Sequence, residues 1–340
     1  MTAPAVAPAP SGGPFFEDLR VGERGDAAPA LTLTDGHAVL HQAIVGDRLR
    51  LALDGTLCRR VVGSPTPLAH PTLVCDVAIG QSTLVTQRVI ANLFYRGLVL
   101  RHSPTIGDTL STSTEVVALR QNSSRPGRAA TGLAVLRVRT VDQQQRRVLD
   151  FWRCAMLPLR DGELQTGHAD ELEVFPAELD PDALRAVTAG WRLDVYRDAV
   201  PAPHFLDLTD GMVWKIEGGD VVSAAPELAR LSLNVAMAHH DLGAALAGRR
   251  LVYGGHTIGI AAAQATRALP NLVTIAGWHS CEHLAPVYEG DTLYSQIELE
   301  RCEPLPSGGG LVHLRSRVRA LRDDGGQDDV LDWRFVGVMA

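Results

Sequence analysis

The sequence predicts an α+β protein made of two fused copies of one unit, each a long apolar helix followed by an antiparallel sheet. Three observations predict it. Gly107-Asp108-Thr109-Leu110 recurs as Gly290-Asp291-Thr292-Leu293, Leu149-Asp150-Phe151-Trp152-Arg153 recurs as Leu331-Asp332-Trp333-Arg334, and LRVR at Leu136 is echoed by LRSR at Leu314. These matches keep one order and nearly one offset, as a duplication would leave them. Each half also holds a stretch of small and apolar residues suited to a buried helix, then four runs rich in Val, Leu, Thr and aromatics. A sheet covered by one helix leaves an edge and a face needing cover, so the two sheets are expected to pair.

Taken in order, residues 1–14 (MTAPAVAPAPSGGP) read as a disordered tail, and order is expected from Phe15, where FFEDLRVGE leads to a turn at Gly22. Thr34 to Ile44 reads as a helix, Gly46 to Asp54 as a loop, and Gly63, Pro65 and Pro67 as a second loop. HPTLVCDVAIGQSTLV, from His70, reads as a buried helix. Four strand-like runs follow from Gln87, divided by turns at Pro104 to Asp108, Ser123 to Gly127 and Gln143 to Gln145. The expected organisation is an N-terminal unit over 15–160, a linker rich in acids and prolines over 161–203, and a C-terminal unit over 204–340. In the second unit HTIGIAAAQATRAL, entered through Gly254-Gly255, is the buried helix.

Composition narrows the function classes. A net charge of -7 and no Lys/Arg-rich run argue against nucleic-acid binding. The five cysteines have no CxxC spacing, so neither a disulfide framework nor a cysteine zinc site is expected, which fits a reducing cytoplasm. The N-terminus lacks the pattern of a signal peptide, and no apolar run is long enough for a membrane span.

The segment Leu231–Ile260 draws attention because it gathers one amide, Asn234, and three imidazoles, His239, His240 and His256, ahead of and around a Gly pair. The glycines let a ligand or another backbone approach closely. Tyr253, just before them, can bring a hydroxyl, and WHSCEHLAP places Glu282 and His283 on an element expected to line the same groove. A metal site at His239, His240 and His256 is disfavoured, since adjacent histidines point apart and no Asp/Glu spacing completes a ligand set.

FFEDLRVGE, GDRLRLALD at Gly46, RLVYGGHTIGIA at Arg250 and HLAPVYEGDTL at His283 carry a resemblance over nearly the whole chain from Phe15. It resembles the MaoC-like (R)-specific enoyl-CoA hydratases/dehydratases in their fused, double-hotdog form, and within them an actinobacterial double-hotdog group. The resemblance implies a central helix wrapped by a sheet in each half. It implies hydration of an enoyl thioester or the reverse dehydration, with an acyl-CoA thioester as partner, no metal and no redox cofactor, in a monomer (pseudo-dimer) or a homodimer. The family motif, approximately GDxNPxHxD, uses Asp and His to hold one water. Laid on the first half it keeps Asp47 but finds Ala52 in place of His; laid on the second it keeps His239 but finds Asn234 in place of Asp. Asn234 and His239 are therefore the expected catalytic pair, with Tyr253, Gly254, Gly255, His256 and His283 as substrate-binding residues. Asp47, lacking its partner, reads as a structural carboxylate. The incomplete motifs leave open a non-catalytic acyl-CoA or acyl-carrier binding protein. They also leave open a hotdog thioesterase, for which Asp76 is the acid inside a central helix.

Overall fold

The structure, a computed structural model, describes residues 12–123, 127, 129–176, 178–244 and 248–340. The expected tail lies outside the described residues as far as residue 11; beyond it, the Gly13 carbonyl accepts a hydrogen bond from Arg88 Nε.

The first repeat begins with two short edge strands, β1 (Arg24–Gly25) and β2 (Leu31–Thr32). Helix α1 (Asp35–Val45) follows, capped by Thr34, whose hydroxyl accepts from His37 N, and ended by Gly46 at φ 73°. That left-handed residue turns the chain so that Asp47 points inward. The expected Gly46–Asp54 loop contains one helical turn, α2 (Arg50–Leu53), and runs into α3 (Gly55–Val62), where the Asp54 carboxylate accepts from Thr56 N and Leu57 N. Next comes the central helix α4 (Pro71–Gln81), buried along its whole length, with His70 as N-cap and Pro71 in the first turn. Strands β3 (Ala91–Leu100), β4 (Thr109–Gln121), β5 (Thr131–Val141) and β6 (Arg147–Pro158) complete the unit.

The acid- and proline-rich connection is more than a tether. It carries α5 (Pro181–Ala186) and α6 (Leu193–Ala199), and Leu184, Leu193 and Tyr196 pack with Leu57 and Val61 of α3 and with Val273 and Val336 from the second repeat. The second repeat then follows the order of the first: β7 (Val213–Lys215), β8 (Asp220–Val221), α7 (Ala225–Leu231), central helix α8 (Gly254–Ala268), and strands β9 (Leu272–His283), β10 (Thr292–Pro304), β11 (Gly310–Leu321) and β12 (Gln327–Met339).

All strands join one antiparallel sheet in the order β1-β4-β5-β6-β3-β9-β12-β11-β10-β7, with β2 on β4 and β8 on β10. The order is the same read outward from the centre on either side, so the repeats meet at the β3–β9 ladder, where Tyr95 faces Cys281 and Leu98 faces Trp278. The expected pairing of the two sheets is thus a direct strand-to-strand join that removes the edge each repeat would leave alone. Burial along β10 alternates over most of its length, as the period of a strand with one face on a core requires.

Both central helices lie within this sheet and meet each other in the middle. A Cβ on Gly255 of α8 would run into Asp76 Oδ1 of α4, and one on Gly80 of α4 would run into the Ser232 carbonyl of the loop leading to Asn234. That carbonyl belongs to the main chain and cannot swing aside. Gly80→Ala is expected to lower the unfolding free energy by ~1–3 kcal/mol, measured by chemical denaturation.

Candidate functional site

Between the repeats lies a cavity of about 350 Å³. Residues of the α7–α8 connection, the first turns of α8, the start of β3, β6 and the chain after β9 line it. Of the expected residues, Asn234, His239, Tyr253, Gly254 and His283 are brought together on its wall. Gly255 and His256 do not face it. Gly255 is the contact with α4, and His256 is wholly buried in the packing of α8 with neither ring nitrogen bonded. The expected substrate-binding role of His256 is corrected for that reason: its side chain leaves α8 on a face turned away from the cavity, whereas that of Thr257, one residue on, lines it. His240 is also outside; its Nε2 donates to the Asn234 carbonyl at 2.7 Å and fastens the turn. Glu282 is exposed on β9.

The chemistry of the cavity follows from its hydrogen bonds. His239 Nδ1 lies 2.8 Å from the Leu251 carbonyl. A carbonyl only accepts, so Nδ1 carries the proton and Nε2 is left with its lone pair. Burial pushes the His239 pKa down to about 4, partly opposed by the Leu251 bond. The ring is therefore neutral near pH 7. Asn234 is fixed in the complementary sense: its Oδ1 accepts from Ala236 N at 2.9 Å, an Asx-type turn, which leaves the amide NH₂ as a donor. The Tyr253 ring packs on His239 with centroids 5.6 Å apart, and burial holds its hydroxyl well above the usual phenol range, so it too is a donor. Gly254 leaves room for His283, whose Nε2 would be 2.6 Å from any Cβ placed there. The backbone N–H groups at the start of α8 have no partner inside the helix, and the helix dipole adds partial positive charge at that end.

Motif reasoning missed Tyr95, Thr83, Thr257 and Arg153, all of which line the cavity. Tyr95 and Thr83 come from elements whose approach no local pattern announces, while Thr257 sits on the helix already singled out and only the helix face decides that it lines the cavity. Arg153 had a signal: its motif is one residue longer than the copy at Arg334.

A second cavity, of about 250 Å³, occupies the equivalent place in the first repeat and is lined by His41, Asp47, Ala52 and His70 among others. Asp47 and Ala52 stand where Asn234 and His239 stand in the other repeat, and His70 takes the N-cap position of Tyr253. Asp47 is not the partnerless carboxylate that its sequence neighbourhood suggests. Its Oδ1 accepts from Leu49 N at 2.6 Å and its Oδ2 lies 2.9 Å from His70 Nε2. Burial acts to raise the Asp47 carboxyl, but His70 and the Leu49 N–H together hold it below the usual carboxylate range. Beyond it, His41 Nε2 sits 3.2 Å from Thr72 Oγ1 and 3.5 Å from Asp76 Oδ2. Burial lowers the pKa of His41 and raises that of Asp76.

Fold and site together define a double hotdog with a buried polar cluster at the start of one central helix. No family model matches the chain. Two curated proteins do: a beta-methylmalyl-CoA dehydratase of Chloroflexus aurantiacus, 28% identical over 327 residues, spanning 92% of this chain and 89% of that protein, and a mesaconyl-CoA hydratase of Cereibacter sphaeroides, 29% identical over 318 residues, spanning 89% and 88%. Among solved structures, the Mycobacterium tuberculosis protein RV0216, described as a conserved hypothetical protein with a double hotdog fold, superposes with a TM-score of 0.90 at 53% identity over 98% of this chain and 100% of that one. A protein described as a MaoC domain dehydratase from Chloroflexus aurantiacus superposes with a TM-score of 0.85 at 26% identity over 98% and 99%. The chain belongs to the MaoC-like double-hotdog family.

Three histidines, the buried His239 and His256 and the half-buried His283, each have a pKa pushed down to about 4 by desolvation, against 6.5 unfolded. Between those values the unfolded chain binds more protons than the folded one. Their stability contribution is complete above pH 6.5 and is lost as pH falls toward 4, at up to ~1.4 kcal/mol per pH unit for each ring. Asp76, whose carboxyl is pushed up, works in the opposite sense. Denaturation midpoints measured across pH 4–7 are expected to drop on the acid side.

Proposed function

We propose that the chain is a hydratase/dehydratase of enoyl and 3-hydroxyacyl thioesters, with CoA esters as substrates and the reaction at the cavity of Asn234 and His239. The observation that carries this reading is the fixed tautomer of His239, which leaves Nε2 with its lone pair on a cavity wall that also carries the Asn234 amide donor. In hydration the Asn234 NH₂ holds the water oxygen while Nε2 accepts one water proton. The hydroxide oxygen bonds to Cβ, and the Cα–Cβ π electrons move to the thioester oxygen as an enolate. The backbone amide at Gly254 faces that charge with the helix dipole behind it. The imidazolium then returns its proton to Cα on the same side, so one group serves as base and acid in turn. The relatives named for CoA-ester dehydration and hydration support the substrate class. The thioesterase reading loses its residue, because Asp76 does not line this cavity and burial opposes its ionisation.

His239→Ala is expected to lower kcat on trans-2-enoyl-CoA esters by about 10²–10⁴-fold without lowering the melting temperature, followed as loss of absorbance of the conjugated thioester. Asn234→Asp restores a carboxylate beside the imidazole and is expected to raise both the rate and the pH of the acid limb, which lies near His239's pKa of about 4 in the parent. Absence of turnover across short, long and branched esters overturns the reading in favour of acyl-CoA binding without catalysis.

A second placement of the same reaction is favoured by one observation, the ionised Asp47 beside His70. Asp47→Asn keeps the acceptor for Leu49 N and separates the two: unchanged turnover assigns the chemistry to His239, and its loss assigns it to the first repeat.

A further inference from the structure

Asn234 stands in a loop whose backbone is held from the other repeat. Leu233, just before it, has φ 60°, a left-handed conformation that a non-glycine residue keeps only where its surroundings impose it. Asn234 N donates to the Ala229 carbonyl at 2.9 Å, and Met237 N donates to the Gln87 carbonyl at 2.8 Å. Between these anchors Val235 N donates to Thr83 Oγ1 at 3.0 Å. Thr83 lies in the turn Ser82–Thr86 that follows α4, and its own hydroxyl proton goes to the Gly80 carbonyl at 2.6 Å. A hydroxyl has one proton to give, so main-chain groups fill both of its roles and fix its direction. Thr83 is buried and lines the cavity, yet this hydroxyl has no proton left for a ligand.

The other repeat holds the matching threonine. Gln81 donates to the Leu110 carbonyl as Gln264 donates to the Leu293 carbonyl, which aligns Thr83 with Thr266 and Gly80 with Ala263. Thr266 makes the same bond back along its helix, to the Ala263 carbonyl at 2.7 Å, but among the described residues no loop N–H donates to it. Ala263 also carries the methyl that Gly80 lacks, and a methyl at Gly80 would run into the Ser232 carbonyl. The close approach of loop to helix end, and the bond that fastens it, are thus found on the side that carries Asn234. We infer that Thr83 is a positioning residue for the reaction: from the first repeat, it sets where the Asn234 amide stands on the cavity wall. The inference rests on the placement of the reaction at Asn234 and His239. Thr83 acts through the loop and takes no part in the proton transfers assigned to His239. Because a shift of about 1 Å in a group that holds a reactant costs on the order of 10² in rate, one bond on this loop is enough to be felt in turnover.

The test is a double-mutant cycle on enoyl-CoA hydration, together with hydrogen exchange at the Val235 amide followed by NMR. Thr83→Val keeps the shape and removes the acceptor, so exchange at Val235 is expected to quicken by about fivefold, the scale of one hydrogen bond. Its kcat should fall by about 10–100-fold with KM within about threefold of the parent. Thr83→Ser keeps the hydroxyl and should bring both readings back to within about threefold of the parent. In an Asn234→Ala background, Thr83→Val should cost no more than about twofold, because it acts through the group already removed. Thr83→Ala, which removes the same acceptor without filling its place, serves if the Val variant does not fold. An equal loss of kcat in both backgrounds, a loss that Thr83→Ser does not restore, or Val235 exchange unchanged by removing the hydroxyl overturns the proposal. A parent without turnover sinks the hydratase reading and Thr83's part in it, while the exchange result still decides whether Thr83 holds the loop. Turnover by the parent with Val235 exchange unchanged in the variant refutes the Thr83 assignment alone.

Discussion

The meeting of α4 and α8 inside a single sheet is the constraint on which the rest depends. Each central helix is too apolar to stand in water, and one sheet wraps both, so they must share one interior. Glycine makes the approach possible: Gly255 lies against Asp76, and Gly80 lies against the carbonyl of Ser232. The second contact sets the loop that carries Asn234, and the first brings Asp76 beside the residues that open α8. The cavity sits where these elements converge with β3, and the β3–β9 ladder holds that convergence in register.

Duplication produced two equivalent places, and divergence gave them different chemistry. Where the second repeat has an amide, an imidazole and a phenol at Asn234, His239 and Tyr253, the first has a carboxylate, a methyl and an imidazole at Asp47, Ala52 and His70. The imidazole has in effect moved from the loop to the helix N-cap. Each repeat keeps polar groups at this place, but those of the second repeat are neutral, are held by the main chain and face the larger of the two cavities. The first repeat's pair contains an ionised group tied to the main chain.

Desolvation decides the electrostatics of the larger cavity. It keeps His239 and His283 neutral and Tyr253 protonated, and among the described lining residues Arg153 is the one that carries a formal charge. Donors, one lone pair and one fixed cation make a surface that favours developing negative charge, with little reorganisation needed once water is excluded.

The α+β class, the duplication, the central helices and the order of the strands were all legible in the chain, because small apolar runs, alternation and turn residues are local signals. That Asn234 and His239 would share one pocket was legible too, since they stand five residues apart in one segment. The loop assigned to Gly46–Asp54 hid a helical turn, and the acidic linker hid two packed helices, since their apolar positions find cover only on α3 and the distant sheet. His256 was placed in the site by its neighbours, yet its side chain turns into the helix packing. Asp47 was judged partnerless because its family partner would stand five residues on, whereas the imidazole that reaches it arrives from the cap of α4. Arg153 was visible only as an uneven repeat until the ladder fixed which face it took. Periodicity and spacing are properties of neighbours along the chain, so the sequence by itself determined elements and their order. Which side chains share a cavity depends on residues far apart in sequence being desolvated together, and that was decided only when the two repeats closed on one another.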